Sequence, residues 1–218
     1  MTQTVGESHT WKTPPVDWAE EQALRIAQTV RTLRGKRSAQ WLADRTEALG
    51  YTVTRSVISD LELGRRRYVS TAEIIVLAAA LTVPPAYLLY PDLPDGPVEI
   101  VPGTPVPSIS ALRWFSGERI YQPSPQRVGL KLAKQHSDLG TSEAALVVEL
   151  SRKRLQLREQ MTKLTTIAKS ARTSPDVRAT VTQEISAIWD ELENVDGELE
   201  ALHAVVVSDP LEDERLGG

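Results

Sequence analysis

From Val147 to Val206 apolar residues return every three or four positions, and the run is broken once, at Ser174-Pro175-Asp176. That spacing belongs to a helix that buries one stripe, and it excludes a strand, whose side chains alternate with a period of two. The first register is Val147, Leu150, Arg154, Leu157, Met161, Leu164, Ala168 and Ala171, with a single charged intrusion. The second is Val181, Ile185, Ile188, Leu192, Val195, Leu199, Leu202 and Val206. A serine followed by proline starts a helix, and a connection as short as Arg172 to Ser174 turns the second helix back along the first. An antiparallel, coiled-coil-like helical hairpin is therefore expected over residues 124–207, in a chain of all-α class. Arg154 in the seam either specifies register or a partner, or carries its charge to solvent along its aliphatic stem.

Upstream, the helical pattern is chopped into shorter pieces. Asp17 with Glu20, Ser38, Thr54, and Ser70 with Glu73 are N-cap signatures, while Gly35, Gly50 and Gly64 are stop signals. Pro84 or Pro85 opens a further short helix that ends near Tyr90. Five helices are predicted over 17–90, preceded by a flexible arm over 1–16. Pro91 to Pro107 holds six prolines and two glycines and reads as a linker, continuing into a connecting element with Leu112, Trp114, Phe115 and Ile120 that ends at 123. Residues 208–218 form an acidic tail.

The formal charge of −4 argues against a polyanion as partner until its distribution is resolved. Between Arg31 and Arg67 nine cations face four acids, a local excess of +5, whereas Asp190 to Glu214 carries ten acids and no Lys or Arg. The absence of cysteine excludes disulfides and thiolate metal sites, and fits a reducing, cytoplasmic setting. No apolar run approaches the roughly 20 residues of a membrane span. His9, His136 and His203 are too scattered to bind metal, and no nucleophile–base pair or Gly-rich phosphate loop is visible. Neither an enzyme nor a cofactor is expected.

The segment Thr54 to Leu63, ending at Gly64, has the length and capping of a recognition helix, the element that a helix-turn-helix lays in the major groove. Arg55 can donate two hydrogen bonds to guanine, Ser56 and Ser59 can reach bases or phosphate, and Asp60 can accept from a cytosine amino group. Those four are the candidate base contacts. Arg65, Arg66, Arg67 and Tyr68 follow the helix as four donors in a row, and with Ser38, Gln40 and Thr54 they are the candidate contacts to the DNA backbone.

Ser38-Ala39-Gln40-Trp41-Leu42-Ala43, then Thr54 through Gly64, then Leu77-Ala78-Ala79-Ala80-Leu81 before Val83-Pro84 resemble the lambda-repressor/Cro-type, or XRE, helix-turn-helix family over Leu24 to Tyr90. Glu62-Leu63-Gly64 with Arg-Arg-Arg-Tyr and Leu-Leu-Tyr-Pro is similar to versions from actinobacteria and their temperate phages, where such proteins are immunity repressors. The resemblance implies a repressor that occupies operator DNA in the nucleoid, and an ion pair from the first helix to Glu62, for which Arg31 is the nearest candidate. The chain departs from the family at Ala39, where glutamine is usual, and in a longer turn over Glu47 to Val53. Double-stranded DNA is the expected partner, and the C-terminal helices are the candidate surface for a homodimer or another protein. An antitoxin-like or purely protein-binding role through those helices is the alternative; a nonspecific nucleoid protein would need a broader basic surface.

Overall fold

Each of the first four helices begins where a short polar side chain takes up amide hydrogens that the first turn leaves unpaired. In the computed structural model, which describes residues 11–119, 131, 134 and 142–207, α1 spans Trp18–Arg34 and is capped by Asp17, whose carboxylate accepts from the Glu20 amide at 2.9 Å. Ser38 caps α2 (Ala39–Ala48) through the Trp41 amide, and Thr54 caps α3 (Arg55–Glu62) through the Val57 amide. Ser70 and Glu73 form a reciprocal capping box on α4 (Thr71–Leu81), and Pro85 opens the short α5 (Pro85–Leu89). The expected caps and the order of five helices are thus present.

Their apolar faces converge on one core. Val30, Leu42, Ile58, Leu77 and Leu88 are almost entirely removed from solvent, one from each helix, and each such side chain contributes about 1.5–3 kcal/mol of burial free energy. α4 is nearly apolar throughout because Val76, Leu77, Ala78, Ala80 and Leu81 are all buried.

The Pro-rich stretch differs from the expected linker. Pro97–Glu99 (β1) and Pro105–Pro107 (β2) pair antiparallel with Val98 opposite Val106, and α6 (Ser108–Phe115) follows directly. A two-stranded ladder has only edge strands, where prolines need not donate, so Pro97, Pro105 and Pro107 are tolerated at strand ends. Val98, Tyr90 and Ala111 bury one another, and the Trp18 indole donates to the Glu99 carbonyl at 3.1 Å, which ties this segment back to α1. Met1–Ser116 accordingly behaves as one unit, and Gly117–Gly218 as a second.

In the second unit, α7 (Glu143–Lys169) and α8 (Pro175–Ala201) are joined by five residues and pack against each other. Leu157 and Met161 meet Ile188, Leu192, Val195 and Leu199, with Val147, Leu150, Leu164, Ile185 and Val206 around them. These are residues expected from the spacing, but Ala171 lies beyond the end of α7, and Leu202 and Val206 lie beyond α8, which ends at Ala201. Arg154 does not end in solvent: it pairs side-on with the Asp196 carboxylate of α8, and its Nη2 also donates to the Val207 carbonyl at 3.0 Å. The seam accepts a charge because the opposing helix supplies its counter-charge. Residues 1–10, Ile120, the start of the expected C-terminal helix and the acidic tail over 208–218 lie outside the described residues. Among those described, no helix is long and apolar enough to cross a membrane.

Candidate nucleic-acid interface

α3 has two faces with opposite fates. At about 100° per residue, Arg55, Ser56, Ser59, Asp60 and Leu63 fall on one arc and Val57, Ile58, Leu61 and Glu62 on the other. Ile58, Leu61 and Glu62 are buried, whereas Arg55 and Ser56 are exposed and Ser59 and Asp60 partly so. The helix therefore offers an outward face that begins with a guanidinium and two hydroxyls. Its entry is braced from behind: the buried Thr46 hydroxyl accepts from the Val53 amide at 2.9 Å and donates to the Ala43 carbonyl. That bond holds the end of the turn from α2, and the turn residues Leu49, Gly50 and Tyr51 are exposed.

Glu62 is buried and its charge is met by α1. Arg34 Nε and Nη2 donate to its two oxygens at 2.9 and 2.7 Å, while Arg31 approaches only to 3.8 Å. The expected ion pair from the first helix is present, with its principal partner one turn later than Arg31. Arg34 lies at the end of α1, where the helix passes the last turn of α3; Arg31 keeps more of its side chain in solvent.

The run Arg65-Arg66-Arg67-Tyr68 does not act as a row of equivalent donors. Arg65 keeps 62% of its side chain exposed and pairs at 2.5 Å with Asp60, so the Asp60 carboxylate is engaged at the protein's own surface. Arg66 is 19% exposed and grips Glu73 with both terminal nitrogens, lying 4.2 Å over the Tyr68 ring. Arg67 is 23% exposed, pairs with Glu20 and donates to the carbonyls of Thr13 and Pro14. Gly64, with φ of 72°, turns the chain so that consecutive arginines diverge, toward α3, α4 and α1 in succession. Of the expected backbone contacts, Arg65 and Tyr68 remain on the surface, while Arg66 and Arg67 serve the fold. Ser38 and Thr54 use their hydroxyls as caps, and Gln40 donates to Asp44 at 2.6 Å.

Sequence reasoning passed over three surface groups beside α3. Leu63 sits among the outward positions and is 42% exposed, an apolar group suited to a thymine methyl. Tyr51 is exposed in the turn before the helix. Arg37 lies 4.1 Å over the Trp41 ring while donating to the Leu33 and Arg34 carbonyls, so it is both a cap for α1 and a fixed cation beside the start of α2. Leu63 was legible from helical phase; the other two depend on contacts.

Glu73 gives a pH signature. Burial by itself would raise its carboxyl, but hydrogen bonds from Arg66 and Ser70 outweigh that and hold it below the ordinary value of 4.5. A depressed carboxylate contributes stability that is fully present above the unfolded value and is lost as the pH falls through the folded one. Glu73→Gln is expected to lower the urea midpoint at pH 7 and to differ progressively less from wild type below pH 4.5. A gap that stays constant down to acid pH would show that the charge of Glu73 is not what holds the capping box.

Among the described residues no group of acids and histidines is arranged to hold a metal ion. Compared with family models, with curated proteins and with solved structures, the chain matches none.

Proposed function

We propose that the protein is a sequence-specific DNA-binding regulator whose α2 and α3 form a helix-turn-helix, with α3 lying in the major groove, and that it represses by occupying operator DNA. The observation that carries this reading is the two-faced α3: a buried face anchored by Ile58, Leu61 and the Arg34–Glu62 pair, and an outward face of Arg55, Ser56, Ser59 and Leu63. A cation on the first turn is mildly unfavourable to the helix dipole, and that cost is offset when a polyanion lies opposite. The second unit, α7 with α8 as an antiparallel hairpin, is the surface for self-association, which would set the spacing of two half-sites.

Selection of bound fragments from random duplex DNA by the full-length protein, followed by sequencing, tests the reading directly; recovery of no shared site rejects it. On the selected site, Arg55→Ala is expected to cost about 1–3 kcal/mol and to relax preference at one base pair. Arg65→Ala should instead weaken all duplexes alike and reduce the slope of log affinity against log salt by about 0.9, the increment for a single phosphate no longer neutralised. Uniform weakening by Arg55→Ala, or an unaltered salt slope for Arg65→Ala, would remove that residue from the interface.

A further inference from the structure

Trp11, six positions before the cap of α1 and expected in a free arm, is 5% exposed. Its indole fills a slot that the small side chains of Ala23 and Ala27 leave between α1 and α3, against Leu61. The indole Nε1 donates to the Leu61 carbonyl at 3.0 Å, in the last turn of α3, an oxygen that also accepts from the Gly64 amide at 3.2 Å. The ring also lies so close to Gly64 that a Cβ there would fall 2.4–2.8 Å from three of its carbons. Gly64 is thus required twice, by its positive φ and by the indole. Arg67 closes the arrangement: its guanidinium lies 5.0 Å from the Trp11 ring centre and donates to the Thr13 and Pro14 carbonyls.

An eight-residue helix has little packing area with which to fix its own tilt. α3 is held at its entry by the Thr46–Val53 bonds and at its exit by residues that precede α1. We infer that residues 11–14 form a strap that sets the pose of α3, and that Trp11 is a positioning residue for DNA recognition without touching DNA. The inference rests on the DNA-binding reading above. It also gives Arg67 its role, as the clasp of the strap rather than a phosphate contact.

The test compares full-length wild type, Trp11→Phe and Trp11→Ala on the selected duplex and on random duplex, with a thermal melt of each. Trp11→Phe keeps an aromatic ring in the slot while removing the donor to Leu61 and part of the ring volume, so the protein should remain folded. Affinity for the selected site is expected to fall about tenfold for Trp11→Phe, as for the loss of one buried hydrogen bond, and further for Trp11→Ala, with affinity for random duplex held within about twofold. The ratio of the two affinities is the informative readout, because a purely structural role lowers both in proportion to the unfolded fraction. Equal losses on both duplexes, or a folded Trp11→Phe that keeps the wild-type ratio, would overturn the strap. Failure of the wild type to prefer any duplex would instead reject the DNA-binding reading, so the two failures are distinct.

Discussion

Arg34→Ala is expected to lower the stability of the Met1–Ser116 unit by about 3–5 kcal/mol, a loss large enough to unfold a marginal domain near physiological temperature. The size of the effect comes from what is left behind. Glu62 is buried, its side chain 5% exposed, and Arg34, itself 12% exposed, meets both carboxylate oxygens. Removing the guanidinium strands a charge that water cannot reach, and Arg31, at 3.8 Å and 40% exposed, is too distant and too hydrated to replace it. Arg31→Ala should accordingly cost under about 1 kcal/mol, in the range of exposed ion pairs. Arg34→Met combined with Glu62→Leu removes both charges and keeps the volume, and should recover most of the stability that Arg34→Ala forfeits. Urea denaturation of the four proteins is the measurement; equal losses for Arg31→Ala and Arg34→Ala would refute the assignment of Arg34 as principal partner.

The second large effect is expected in the other unit. Leu192 and Leu199 are 4% and 3% exposed and lie on the α8 stripe that covers Leu157 and Met161. Exchanging each for aspartate removes an apolar side chain worth about 2–5 kcal/mol and places a carboxylate in the apolar stripe between the helices, so Leu192→Asp with Leu199→Asp should melt both helices. Far-UV circular dichroism should lose the signal of two 27-residue helices. The helices of Met1–Ser116 keep their own core around Val30, Leu42, Ile58, Leu77 and Leu88, so the remaining signal should survive, and with it the proposed binding to a single half-site. Light scattering on the same pair of proteins tests self-association: a wild type already monomeric well above its DNA dissociation constant would leave the second unit with a structural role alone. Complete loss of helicity in the variant would show that the two units do not fold separately.

Local chemistry was enough to read α1 to α5 and the two long helices from the sequence, though not α6, which fell in the expected linker and connecting element. Asp17, Ser38, Thr54, Ser70 and Ser174 start helices because a short side chain can reach an amide two or three residues ahead, and that reach is independent of the rest of the chain. The seam of α7 and α8 was legible for the same kind of reason, since a spacing of three and four leaves little choice of buried face. The outward face of α3 followed from helical phase alone.

Tertiary structure decided which charges are available at the surface. Arg65, Arg66 and Arg67 are identical in sequence terms, yet Asp60, Glu73 and Glu20 draw them in three directions, the last from 47 residues away. The choice of Arg34 over Arg31 depends on where α1 passes α3, a relation no local pattern contains. The β1–β2 ladder was hidden by its prolines, which mark breaks in any local reading and become acceptable only because both strands are edges. Trp11 was hidden most completely, since its environment is assembled from Ala23, Ala27, Leu61 and Gly64, none of them a neighbour in the chain. Capping and periodicity act within a few residues and can be read along the chain, whereas ion pairing and slot filling act through space and are settled only when the helices have packed.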